Sequence, residues 1–247
     1  MKTTTDETVR IMLTMFHGRT ERARPVRSAF ITVVLFLAAF GLVTQQAPAE
    51  PMAAPDDNCR AAVATAFDKQ RASKGYRFEA KMAGPIGETK MTIDYMPPDR
   101  MYQKVEAPGQ APVETIAIAR WAWGTMGGGW EELQPQFAQS IIAHVRSTLV
   151  NPPEITAAFT CLGEVKFEGR DVLGYRADQT AKETDASAGG HLLSRTVYVD
   201  LQSGLPVANI VAEEGGSGSP VFNGRYSYPT DIVIEPPIGG HAVTPKN

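Results

Sequence analysis

The chain has no excess of basic charge: 24 Lys+Arg stand against 27 Asp+Glu in 247 residues, a formal net charge of −3. The clustered positive surface that phosphate backbones require is missing, so no nucleic-acid partner is expected. Cysteine is scarce. Two are too few for a Cys-rich metal site or a dense disulfide scaffold, and no C-x-x-C redox motif occurs. Histidine is scarce as well, with only His144, His191 and His241 beyond residue 49. No G-x-S-x-G elbow, H-E-x-x-H or S-x-x-K signature is present. Gly127-Gly128-Gly129 lacks the Lys and Ser/Thr of a phosphate loop and reads as a hairpin turn. The adjacent acids Glu131-Glu132 and Glu213-Glu214 would point to opposite faces of a strand and cannot form a catalytic pair without a bend. His144 sits in the apolar helical run Ile141–Val145 and reads as a surface or satisfied residue. No catalytic residue, metal or cofactor is expected, and the chain reads as a non-enzyme.

What is present begins with an address. Arg22, Arg24 and Arg27 precede an apolar run from Ala29 to Val43, which is followed by Thr44-Gln45-Gln46 and Ala47-Pro48-Ala49. That order of charge, apolar run and small-x-small site is the pattern of a secretory signal peptide cleaved after about Ala49. As a helix the run spans about 22 Å at ~1.5 Å per residue, short of a ~30 Å hydrocarbon core. The expected organisation is a signal over 1–49, a short leader over 50–55, one domain over 56–237 and a flexible tail over 238–247. The expected location is the periplasm. Removing residues 1–49 takes away six Lys+Arg and three acids, and the mature chain then carries a net charge of −6. In an oxidising compartment Cys59 and Cys161 have one intrachain connectivity, and a disulfide between them is expected.

Periodicity then divides the chain. Asp56-Asp57-Asn58 offers N-cap oxygens, and Cys59, Val63 and Phe67 recur on one helical face; this helix is expected to stop near Gly75. From Tyr76 the period becomes two, through Tyr76–Met82, Met91–Tyr95, Met101–Glu106 and Val113–Ala119, with a hairpin over Trp121–Leu133. Gln136–Val150 returns to helical spacing through Phe137, Ile141, Val145 and Leu149. A third helix or turn is expected over Glu154–Thr160. Six more strands follow: Glu164–Glu168, Val172–Gln179, Ser194–Asp200, Val207–Glu213, Val221–Tyr228 and Ile232–Glu235. Lys182–Gly190 and Gly215–Pro220 read as loops.

The remaining signal is apolar and aromatic. Trp121, Trp123, Trp130, Tyr95, Phe78, Met82, Met91 and Met96 suit either a plain sheet core or an apolar cavity between sheet and helices. Tyr198-Val199-Asp200-Leu201-Gln202-Ser203-Gly204-Leu205-Pro206 is similar to the D-x-x-x-G-L-P hairpin of the LolA-like periplasmic carriers. Trp123 with Gly128-Gly129-Trp130 resembles their tryptophan hairpin, and Tyr226 with Ile232–Pro237 resembles their closing strand. The resemblance covers about residues 56–237. It implies an α+β fold: an incomplete, strongly curved antiparallel β-barrel covered by two or three helices over an apolar cavity. It further implies a monomer whose partner is a lipid or acylated protein, with an inner- or outer-membrane protein as a second partner. The cavity lining expected on this reading is Met91, Ile93, Tyr95, Ile116, Ile118, Trp123 and Trp130. The alternative is a ligand-free envelope interaction or sensor module acting through protein–protein contacts.

Overall fold

The computed structural model describes residues 56–84, 87–125, 128–178, 192–214 and 218–238. The signal segment 1–49, the leader, the loop over 182–190, Gly127, His191 and His241 lie outside them. So does the tail beyond Ile238. Helix α1 spans Asp57–Arg71. Its start is built from sequence: the Asp56 side chain accepts the Asn58 amide proton at 2.8 Å, satisfying one of the unpaired donors at the helix N-terminus. The Asp56 amide donates to the Phe159 carbonyl at 2.9 Å. One turn later the Cys59–Cys161 disulfide fastens the same helix to the same stretch of chain across 102 residues. The helix stops earlier than Gly75, with Ala72 as C-cap. Gly75 serves packing instead. A Cβ there would lie 3.1 Å from the Tyr95 carbonyl oxygen, so its bareness admits a close strand crossing.

Six strands follow as a meander: β1 (Tyr76–Gly84), β2 (Gly87–Met96), β3 (Arg100–Glu106), β4 (Val113–Ile118), β5 (Trp121–Thr125) and β6 (Trp130–Glu132). Helix α2 (Pro135–Leu149) comes next, with Pro at its first position, where a missing amide proton costs nothing. A second meander completes the sheet: β7 (Thr160–Phe167), β8 (Arg170–Asp178), β9 (Leu193–Asp200), β10 (Pro206–Glu213) and β11 (Phe222–Ser227). Glu154–Phe159 forms no helix; the chain runs irregularly into β7. Pro152-Pro153 removes two amide donors there and holds the preceding residues out of the helical region.

The eleven strands form one open antiparallel sheet in the order β6-β5-β4-β3-β2-β1-β11-β10-β9-β8-β7. The first strand pairs with the last, Phe78 opposite Tyr226 and Ala80 opposite Gly224, which joins the two meanders. Both edges are blunted. Strand β6 has three residues, two of them Glu, and β7 carries a register shift between Cys161 and Gly163. The turn from β9 to β10 follows its local chemistry: the Asp200 carboxylate accepts the Ser203 amide and hydroxyl protons, each at 2.7 Å. Gly204 takes φ +64, a conformation that only glycine adopts without strain. These hydrogen bonds hold the Asp200 carboxyl below its ordinary range.

The expected strand Ile232–Glu235 is not one. Both sides of β11 are already paired, by β1 and β10, so no free ladder remains for a following strand. The segment instead crosses one face of the sheet. The Arg100 guanidinium donates to the Ile234 carbonyl at 2.7 Å, and Ile234 is 2% exposed.

Candidate functional site

The register assigns every strand residue to one of two faces. The inner face carries Tyr76, Phe78, Ala80 and Met82 on β1, aligned with Tyr95, Ile93, Met91 and Thr89 on β2. It continues through Met101, Gln103 and Val105 on β3 to Ala117, Thr115 and Val113 on β4. Both helices pack on this face, at opposite ends of the sheet. Helix α1 lies over the later strands, where Cys59, Val63 and Ala66 join Tyr175, Ala177, Val197 and Val199 in one buried cluster. Helix α2 rests on β4 and β5. The strands beneath it present small residues: Ala117 and Ala122 are 1% and 0% exposed, and Gly124 has the Leu133 side chain 3.0 Å from where a Cβ would stand. Small side chains let the helix descend onto the sheet, and the large ones of the same strands turn outward.

That arrangement divides the seven residues expected to line one cavity. Met91, Ile93 and Tyr95 are on the inner face and nearly fully buried. Ile116 pairs with Trp123, and Ile118 with Trp121, on the outer face. Trp130 pairs with Thr125 on that same side. Ile116, Trp123 and Ile234 form a buried cluster against which Met96, Tyr102, Ile118, Trp130 and Ile232 pack. Four of the seven thus belong to an outer core covered by the C-terminal segment. One cavity cannot be lined by both sets, because the sheet lies between them. The signal that would have told the faces apart is the run of small residues at 117, 122 and 124.

On several strands of the inner face burial falls from one end to the other, although Ala80, Met91 and Ala177 stay buried. Met101 is 1% exposed, and its successors Gln103 and Val105 are half-buried. Ala117, Thr115 and Val113 run 1%, 9% and 39%. On α2 the stripe Leu149, Val145, Ile141, Phe137 goes from buried to 49% exposed at Phe137. Val197 is 1% exposed, while Arg195 and Leu193 further up β9 are half-buried. The closed end is filled by aromatic rings. Tyr76 stacks on Tyr95 with centroids 4.9 Å apart, and Phe78 lies 4.9 Å from Tyr226. Phe67 of α1 meets Tyr226 edge-on at 6.1 Å. The Tyr95 hydroxyl is 3.0 Å from His144 Nε2 on α2. Burial pushes the His144 imidazole below its ordinary value and the Tyr226 phenol up to about 12, so both stay uncharged near neutrality.

Toward the other end of the inner face Phe78, Met82, Phe222 and Val211 form a half-buried apolar patch. Glycine shapes this patch at one point. A Cβ on Gly224 would come within 2.7 Å of the Phe78 ring, so the ring lies across β11 only because residue 224 has no side chain. Among the described residues no group of three or more His, Cys, Asp or Glu could hold a metal ion. Nor is any helix among them long and apolar enough to cross a membrane. A shallow groove of about 680 Å³ on the outside of α2, between Arg120 and Arg146, contains no acid or His that could serve acid–base chemistry.

No known family model matches the sequence, and no curated protein matches it. Solved structures do. The lipoprotein LppX of Mycobacterium tuberculosis aligns with 73% of this chain and 100% of its own length, at 12% identity and a TM-score of 0.51. LprF of Mycobacterium bovis aligns with 74% of this chain and 99% of its own, at 11% identity and a TM-score of 0.50. At such identities the likeness is one of fold. The chain has an α+β, LolA-like architecture: a large open antiparallel sheet with two helices laid across one face.

Proposed function

We propose that this chain is a non-enzymatic protein of the cell envelope that takes up an acyl chain, lipid or acylated peptide in a furrow between α1 and α2. The observation that carries the reading is the half-buried apolar patch on the inner face. A plain core would be closed at both ends of the strands, whereas here aromatic and aliphatic residues stay half-exposed at one end. Of the residues expected from sequence to line the site, Met91, Ile93 and Tyr95 remain in this proposal. Uptake would be driven by apolar burial, about 0.8 kcal/mol per methylene before the cost of ordering the chain. The resemblance to LolA-like carriers supports the same ligand class and an exported, periplasmic protein.

The test is native mass spectrometry on mature protein purified from periplasm without detergent, followed by extraction of any bound lipid. The wild type is expected to carry acyl-containing adducts. A double variant, Met82→Asp with Val211→Asp, should lose them, and Trp123→Ala on the outer face should keep them. A clean apo mass, unchanged after incubation with liposomes, would overturn the reading. The chain would then be better described as an interaction module, and crosslinking for a protein partner would follow.

A further inference from the structure

Among the described residues one cation stands on the apolar stretch of the inner face. Arg195 stands on the inner face of β9, opposite Val211 on β10 and Ala177 on β8, two residues beyond the fully packed Val197. Its neighbours on this face are apolar or aromatic: Leu193 along the same strand, Phe222 one strand past Val211, and Tyr226. Among the described residues no carboxylate or carbonyl hydrogen-bonds or pairs with the guanidinium, and burial pushes it below its ordinary pKa. The nearest acid on this face by register is Glu213, exposed at the mouth with its own interaction. Arg176 on β8 points to the other face. A second polar group lies beside it, diagonal across the β9–β10 pair: Asn209, whose amide is against the Tyr226 hydroxyl and whose Oδ1 is buried without a donor among the described residues.

A half-buried guanidinium among apolar side chains, with no acceptor among the described residues, stands ready for an anionic partner. It presents five donors in a planar fork that matches a carboxylate or phosphate. From β9 the apolar floor continues over β10, β11 and β1 to β2, four strand spacings or about 19 Å. That is room for a long tail running away from Arg195 toward α2. We infer that the furrow selects anionic amphiphiles: Arg195 takes the carboxylate or phosphate head of an acyl ligand whose tail lies along Phe222, Phe78 and Met82. The orphan Asn209 oxygen accepts from any hydroxyl or amide adjoining that head. This inference rests on the proposed acyl-binding role and adds the class of ligand.

Three C16 probes with the same tail separate head from tail: palmitate, hexadecyl phosphate and 1-hexadecanol, titrated by calorimetry below their aggregation limits. The wild-type protein is expected to bind at least one anion tenfold or more tighter than the alcohol, as charge-assisted hydrogen bonds imply. The tighter of the two anions identifies the head chemistry. Arg195→Met should erase the gap while leaving hexadecanol binding in place, and Arg195→Lys, which keeps charge but not the fork, should retain part of it. Thermal melts check that Arg195→Met keeps the fold. Equal binding of all three probes by the wild type, or a gap that survives in Arg195→Met, overturns the inference and leaves acyl binding standing. Binding of none of the three overturns the proposed function itself.

Discussion

Ile234→Ala separates the two faces of the sheet. The side chain is 2% exposed and packs on Ile116 and Trp123 across the outer face. Truncating a buried Ile to Ala removes three methyl or methylene groups and leaves a cavity, at a cost of about 2–5 kcal/mol. The backbone hydrogen bond from Arg100 to the Ile234 carbonyl survives the substitution, which argues for the middle of that range, about 3 kcal/mol. For a domain of roughly this size each kcal/mol moves the midpoint by about 2–4 °C, so the Tm should fall by about 6–12 °C. The assay is thermal unfolding followed by circular dichroism, paired with lipid uptake measured well below the lowered midpoint. Uptake per folded molecule should match the wild type, because the furrow lies on the opposite side of the sheet. An unchanged Tm with abolished uptake would refute the assignment of faces and place the ligand under the C-terminal segment.

Two further outcomes follow from the same structure. Breaking the Cys59–Cys161 bridge, which spans 102 residues, should cost about 4–5 kcal/mol in the chain-entropy picture. Guanidinium midpoints with and without reductant, and for the Cys59→Ser/Cys161→Ser pair, check it; equal midpoints would contradict it. His144 gives a pH dependence of definite sign. Its imidazole is held below its unfolded value of about 6.5 by burial, so the unfolded chain binds the proton first. Stability is full above about pH 6.5 and falls as pH drops below that value toward the folded pKa; His144→Gln should flatten urea midpoints measured between pH 7.5 and 5.

Much of the fold was legible in local pattern. Asp56 as an N-cap, the change of period at Tyr76, the Trp121–Leu133 hairpin and the Asp200–Gly204 turn are all short-range features, and the structure has each of them. Two expected elements fail for different reasons. Glu154–Thr160 follows the Pro152-Pro153 stop after α2 and runs irregularly until β7 begins. Ile232–Glu235 looks like a strand by composition, but β11 has no free side to pair with. The candidate site was legible only in part. Met91, Ile93 and Tyr95 fall on the helix-covered face, while Ile116, Ile118, Trp123 and Trp130 fall on the other. Arg195, on the inner face of β9, gave no sequence signal, since an isolated Arg in a polar–apolar alternation reads as surface.

Alone, the sequence determined the class of most elements, the order of turns and the single cysteine pairing, because these depend on neighbours a few residues apart or on a count. Period two tells which residues of one strand share a face. It does not tell which face the helices will cover. Strand β4 is apolar on both sides, Ala117 inward and Ile116 and Ile118 outward. Tertiary packing made the choice: α2 descends where Ala117, Ala122 and Gly124 leave room, and the C-terminal segment then covers the bulky side chains left on the reverse. The half-buried apolar patch of Phe78, Met82, Phe222 and Val211, and the place of Arg195 beside it, exist only once strands far apart in sequence lie side by side.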